Sequence, residues 1–412
     1  MQKSKISIFE ILIAIYYTWF FMPIVNAYFS ANIYKYVFFA MFAVGMFGLL
    51  FLKARILSVA FNRMLVAILA YFVAMTVMYV LDVKDASEHI RVSFTFCGTS
   101  LVYFYALDDS GKTSLGKYFL AMFLVTCITS SLGVLIDNSA ARTITQAAAN
   151  DAVQHSYKMK NIAGIYLFQG MVLCVPSLIA ISKCAKTKIA CVVTLIFLLV
   201  ILINASFTIS LLMFFISLIL CFVLSKSQTL NKKFLKIVVS VAMLVALIFG
   251  EQILLWFADI VDNSRVSERI LGIAELIYGS GEAVGDVSAR IDVYKISLKT
   301  FFEKFPFGIG PNYAYISGEG GLGYHSQFID DIARYGIFAI AFYILFLTGY
   351  YRLLKSSWKG YEDEKAPLIT TIIYFLFLVL NLGFRSGAES VIVLFIIPVI
   401  PRLFLKREEK YK

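Results

Sequence analysis

Residues 189–224, Ile189-Ala190-Cys191-Val192-Val193-Thr194-Leu195-Ile196-Phe197-Leu198-Leu199-Val200-Ile201-Leu202-Ile203-Asn204-Ala205-Ser206-Phe207-Thr208-Ile209-Ser210-Leu211 and onward to Leu224, contain no charged side chain. As one helix rising 1.5 Å per residue they would extend about 54 Å, nearly twice the roughly 30 Å hydrocarbon core of a bilayer. The chain must turn back once, and Asn204-Ala205-Ser206 is the polar interruption at the middle. Two membrane spans joined by a tight hairpin follow.

Outward from this hairpin, apolar runs of span length recur at about 8–29, 33–52, 62–80, 90–106, 115–136, 160–182, 188–204, 206–224, 234–256, 328–351, 366–384 and 387–405. The 412-residue chain therefore reads as an all-α integral membrane protein of about twelve transmembrane helices, a single polytopic domain over 1–412. Composition agrees. The apolar share is 60% and the charged share 15%, against about 45–50% and 25% in soluble domains. The apolar stretch after Lys5 lacks a small-residue cleavage site before Pro23 and reads as a first anchor.

The 37 Lys and Arg exceed the 26 Asp and Glu, giving a net charge of +11. In a polytopic protein such an excess marks cytoplasmic loops facing anionic lipid and not nucleic acid. Most of the basic residues fall inside when both termini are cytoplasmic, which an odd number of spans would spoil. The six cysteines show no CxxC spacing and no nearby His at ligand spacing, so neither a disulfide framework nor a metal site follows.

Two outer segments are too long for connectors: 137–159, and above all 259–327 between spans nine and ten. In the larger, Ser264 can cap a helix with Val266, Ile270, Ile273, Ala274 and Ile277 on one face, suited to a bilayer surface. Gly279-Ser280-Gly281 and Gly285 precede a second amphipathic stretch carrying Ile291, Tyr294, Leu298, Phe301, Phe302 and Phe305, which ends at Pro306. A folded cap that only shields the outer face is the bland alternative.

The chemistry-bearing residues cluster here. Ala289-Arg290-Ile291-Asp292 opens the second helix, Phe305-Pro306-Phe307-Gly308-Ile309-Gly310 closes it, and His325-Ser326-Gln327-Phe328-Ile329-Asp330-Asp331-Ile332-Ala333-Arg334-Tyr335-Gly336 leads into span ten. This arrangement resembles the O-antigen polymerase (Wzy-type) and O-antigen ligase superfamily: an arginine opening an outer-loop helix, a Phe-Pro-Phe-Gly-Ile-Gly turn, and a histidine where the next span begins. The resemblance implies a GT-C-like membrane glycosyltransferase. It would transfer a glycan from undecaprenyl pyrophosphate to an acceptor hydroxyl at the outer face of a bacterial inner membrane, in lipopolysaccharide or other surface-polysaccharide biosynthesis.

That reaction needs a group to take a sugar hydroxyl proton and another to hold the departing pyrophosphate. His325 suits the first task and Arg290 the second, because a planar guanidinium grips phosphate in a way that lysine cannot. The bland reading of Arg290 is a surface arginine paired with Asp286 or Asp292. Arg265 and Arg269, four apart on one helical face, are secondary candidates to meet lipid phosphate. Many relatives carry a further arginine after a serine near the hairpin of spans seven and eight; here Phe207 stands there. Arg385 and Lys160, at span ends, rank first as substitutes, ahead of Arg142 and Lys158. Asp330 and Asp331 fall in the first turn of span ten, where they either complement the helix dipole, with Asp330 paired to Arg334, or orient His325.

The donor carries its own leaving group, so no cofactor and no metal is expected. The partners expected are the undecaprenyl-pyrophosphate-linked oligosaccharide, membrane lipid and a chain-length regulator protein, with no nucleic acid. Repeat-unit polymerase is the leading function. Ligation of finished polysaccharide to lipid A core is the alternative within the superfamily, and a lipid-linked oligosaccharide flippase the alternative from another class.

Overall fold

The computed structural model describes residues 6–29, 31–53, 62–80, 86–145, 151–181, 188–205, 207–224, 250–260, 267–268, 270–272, 274–275, 286–310, 321–359, 365–381, 383 and 387–404. Among them every regular element is helical. In chain order these are α1 (Ile8–Phe21), α2 (Pro23–Tyr28), α3 (Asn32–Lys53), α4 (Arg63–Val80), α5 (Ala86–Leu101, running into a π turn at Val102–Ala106) and α6 (Asp109–Ile136). Next come α7 (Ala140–Thr145), α8 (Asp151–Met159), α9 (Ile165–Leu173), α10 (Val175–Ile181), α11 (Lys188–Asn204) and α12 (Thr208–Leu224). The remainder are α13 (Gly250–Ile260), α14 (Asp286–Glu303), α15 (Gln327–Tyr335), α16 (Ile337–Ser357), α17 (Ala366–Leu380), α18 (Gly387–Val391, running into a π turn at Ile392–Ile396) and α19 (Ile397–Phe404).

Three helices, α3, α6 and α16, are long and apolar enough to cross a membrane, and shorter apolar helices accompany them at 8–21, 63–78, 165–181, 188–204, 209–224 and 366–380. The hairpin forms as its sequence dictates. α11 ends at Asn204, α12 begins at Thr208, and the two pack together. Most of the ninth expected span lies outside the described residues.

Prolines subdivide two of the expected spans. Met22 is extended and Pro23 opens α2, so the 8–29 run is two helices. The 160–182 run begins its helix only at Ile165 and breaks again at Cys174, just before Pro176.

Packing follows from the large aromatic content. Tyr16, Tyr17, Phe42, Phe119, Phe346 and Phe395 are fully buried in one continuous core. Several of their rings meet edge to face, such as Tyr17 on Phe119 with centroids 5.4 Å apart. Two of the buried phenols are satisfied across helices: Tyr16 Oη bonds Thr95 Oγ1 at 2.7 Å, and Tyr17 Oη bonds Thr99 Oγ1. By contrast α3 leaves Val37, Val44, Phe47 and Phe51 exposed, as a helix facing lipid would.

The largest difference from the sequence reading lies at the tenth span. The 328–351 run is not one helix. α15 stops at Tyr335 and α16 starts at Ile337, with Gly336 between them at φ 59°. A Cβ at Gly336 would stand 1.8 Å from the Pro306 carbonyl oxygen, so the corner admits only glycine. Asp330 and Asp331 therefore sit on a separate amphipathic helix and not in the first turn of the spanning helix.

Candidate functional site

The Phe305–Gly310 turn brackets that corner. Ile337 N–H donates to Pro306 O at 2.8 Å, Ile309 N–H to Ala333 O at 3.1 Å and Gly310 N–H to Arg334 O at 3.0 Å. Carbonyls at the C-terminal end of α15, which have no partner within the helix, are thereby satisfied. The glycine-rich motif is scaffold, and it fixes where α14 stands against α15.

On α14, Ser297 and Thr300 are fully buried on the face toward the 321–326 segment. Gly323 N–H donates to Ser297 Oγ at 2.8 Å, and Thr300 Oγ1 donates to Gly321 O at 2.8 Å. Gly323 approaches so closely that a Cβ there would lie 2.0 Å from Val293 O. Ser297 Oγ then donates to Asp330 Oδ1 at 2.6 Å, and Asp330 Oδ2 accepts from Ser326 N–H at 3.2 Å. One hydroxyl and one carboxylate thus hold both flanks of the turn that carries His325. Burial pushes the Asp330 carboxyl above the usual carboxylate range, against the lowering by its two hydrogen bonds.

His325 is exposed. Its Nδ1 lies 2.8 Å from the Gly323 carbonyl oxygen, which can only accept. In the neutral ring this bond assigns the proton to Nδ1, so that Nε2 is the nitrogen able to accept from a substrate hydroxyl. Asp330 does not orient the imidazole directly; it acts through the backbone of the next residue.

Arg290 stands on α14 about 5 Å, one turn, before the Val293 carbonyl on which Gly323 rests. Its Nη1 is buried and meets no hydrogen-bond partner among the described residues. Tyr294, one turn on, feels both the Arg290 and the Asp330 charges, while Asp330 feels His325. Arg290 and His325 thus border one cluster. Asp292 meets Lys295 at 3.4 Å.

α15 is tied to the end of α17 through Gln327 N–H to Asn381 O at 3.0 Å and Ser326 Oγ to Leu378 O at 3.4 Å. Beyond Leu378 lies a cavity of about 400 Å³, within the usual range for ligand pockets. Lys158, Gln169, Phe377, Tyr374 and Glu389 line it with Leu378, and the Tyr374 hydroxyl donates to Glu389 Oε1 at 3.2 Å. Asp331 faces the other way. Gln327 Nε2 and the Tyr343 hydroxyl both donate to its Oδ2, at 2.8 and 2.6 Å. Burial pushes its carboxyl up to about 6, against lowering by Arg334 and these bonds.

The remaining expected site residues fare differently. Lys160 is exposed, 6.0 Å above the Tyr157 ring, and Lys158, not Lys160, lines the cavity. Phe207 is buried against Phe168, with ring centroids 5.1 Å apart, and takes a core position. Arg265, Arg269 and Arg385 lie outside the described residues. Ser297 escaped sequence reasoning; its signal was a small hydroxyl residue, with Thr300, interrupting the apolar face of an amphipathic helix.

No curated protein matches the chain. Residues 192–344, from α11 into α16, match the family model described as O-Antigen ligase, and that stretch holds the hairpin, Arg290, the Phe-Pro-Phe-Gly-Ile-Gly turn and His325. Over those residues the chain is similar to the O-antigen polymerase and ligase superfamily.

Proposed function

We propose that the protein is a surface-polysaccharide polymerase that joins undecaprenyl-pyrophosphate-linked oligosaccharide repeat units at the outer face of the bacterial plasma membrane. The observation that carries this reading is that one cluster is bordered by an imidazole whose Nε2 can accept a proton and by a guanidinium that bonds Tyr294 while its buried Nη1 meets no partner among the described residues. The acceptor hydroxyl oxygen attacks the anomeric carbon of the donor sugar, its proton passes to His325 Nε2, and the bond to the pyrophosphate oxygen breaks. Undecaprenyl diphosphate departs against Arg290, and the anomeric centre inverts. No metal and no nucleotide enters the scheme.

The cavity beside Leu378 is suited to the acceptor. Gln169 and Glu389 can bond sugar hydroxyls, and the half-buried Phe20 and Tyr166 rings offer stacking surfaces. Asp330 is placed with the base as a positioning residue, and Asp331 with the packing of α15. Arg265, Arg269, Arg385 and Lys160 remain basic candidates for lipid phosphate, and the twelve-span plan with both termini cytoplasmic places 259–327 outside.

The matched description, O-Antigen ligase, favours transfer of finished polysaccharide to lipid A core as the second reading. A defined undecaprenyl-pyrophosphate repeat unit incubated with purified protein separates them. Polymerase yields a glycan ladder without added lipid A core, whereas ligase leaves the donor unextended until that acceptor is supplied. His325→Ala and Arg290→Ala are expected to abolish the ladder while the protein inserts and folds. A ladder that survives His325→Ala would overturn the assignment of the base.

A further inference from the structure

α14 has three edges. The first, with Val293, Ser297 and Thr300, faces the His325 turn. The second carries Asp292, Lys295, Lys299 and Glu303, a charged edge with pairs Lys295–Asp292 and Lys299–Glu303. Along the third, Ile291, Leu298, Phe302 and Phe305 recur at i, i+7, i+11 and i+14, one apolar stripe continuing into the turn after the helix. Phe302 and Phe305 on it are 72% and 58% exposed. Phe307, 67% exposed, stacks on Phe338, 64% exposed, with ring centroids 6.3 Å apart. Four exposed phenylalanines in one neighbourhood are not what a water-washed loop leaves uncovered.

Two attachments fix the height of this stripe. The Tyr294 hydroxyl donates to Leu380 O at 2.7 Å, at the last residue of the apolar helix α17. The far end is joined through Pro306 O to Ile337 N–H, the first residue of the spanning helix α16. α16 leads away from this face and α17 returns to it, so both attachment points lie at the same membrane boundary. They are separated by roughly 14 Å of α14 and the turn after it. The helix must therefore lie along the membrane plane and not stand away from it.

We infer that the stripe Ile291, Leu298, Phe302 and Phe305, with Phe307 and Phe338, is a lipid-binding surface seated in the headgroup–acyl boundary of the leaflet on the His325 side. The rings enter the acyl boundary, and the charged edge faces water. Lys304, exposed at the same turn, is placed to reach lipid phosphate. Arg290 is thereby held at headgroup depth. This inference is independent of which glycan is transferred.

Nitroxide labels on Phe302→Cys, Phe305→Cys, Lys295→Cys and Lys299→Cys, in full-length protein with its native cysteines changed to alanine, test it in phosphatidylethanolamine and phosphatidylglycerol vesicles. Collisions with oxygen are expected to exceed those with an aqueous nickel chelate at 302 and 305, and the ratio to invert at 295 and 299. Equal chelate access at all four positions would place the stripe in water. Protection of 302 and 305 from both reagents would mean that protein covers it. Either result overturns the proposal.

Discussion

Ser297 and Gly323 are joined by a single hydrogen bond, 2.8 Å from the Gly323 N–H to the Ser297 hydroxyl oxygen. It ties the helix that carries Arg290 to the turn that carries His325, and the same hydroxyl donates a hydrogen bond to Asp330 Oδ1 at 2.6 Å. The spacing of the two catalytic candidates therefore depends on a residue that touches neither of them.

Ser297→Ala leaves a buried N–H and a buried carboxylate each short of one partner, at a cost of about 1–3 kcal/mol per group. Glycan transfer is expected to fall on the order of a hundredfold, as a small misplacement of a reacting group commonly does, with the protein still inserted. Asp330→Asn releases the other end of the same relay. The double variant should therefore lose less than the sum of the singles, which initial rates on a purified lipid-linked substrate would reveal.

Arg290→Lys keeps the charge and loses the planar fork of donors. Activity is expected to drop nearly as far as in Arg290→Ala, because an ammonium on a flexible stem cannot reproduce two-point contact with a diphosphate. Near-normal turnover in the lysine variant would show that charge alone suffices.

The Asp331 carboxyl is raised from 3.8 to about 6, so between these values the native state holds a proton that the unfolded chain has released. Stability is accordingly greatest below this window and falls as pH rises through it. Asp331→Asn keeps an oxygen to accept from Gln327 and Tyr343 and cannot ionise. Its melting temperature near neutrality is expected to rise by a few degrees, and the slope across the window should flatten. Thermal unfolding in detergent at a series of pH values would measure both.

Phe207→Arg supplies the residue that the resemblance leads one to expect near this hairpin, yet here it would set an unpaired guanidinium against Phe168 in the core. The cost is several kcal/mol. The variant is expected to insert poorly and melt earlier, with no gain in transfer. A higher rate with unchanged stability would show that the core opens there to substrate.

The hairpin was legible because an uncharged run longer than a bilayer has no other solution, and Asn204 marks the place. The amphipathic Arg290 helix was legible from its periodicity. The corner at Gly336 was not, since Ala333-Arg334-Tyr335-Gly336-Ile337 continues smoothly into an apolar run. Only the closeness of Pro306, distant in sequence order, forces the chain to bend there. His325 and Arg290 were found through motif resemblance, and the role of Ser297 emerged only where two helices met. Lys158, which the sequence ranked behind Lys160, is the one of the two that lines the cavity, because the direction of such a side chain is set by its neighbours.

The bond from Tyr294 to Leu380 and the bond from Ile337 to Pro306 make the Arg290 helix a crossbeam resting on two posts sunk in the membrane. If either post settles deeper, the beam tilts and carries with it the His325 turn that Ser297 ties to it, so the depth of both groups against the lipid headgroups changes. On the proposed function, acyl-chain length is expected to alter turnover, which rates in bilayers of graded thickness would measure.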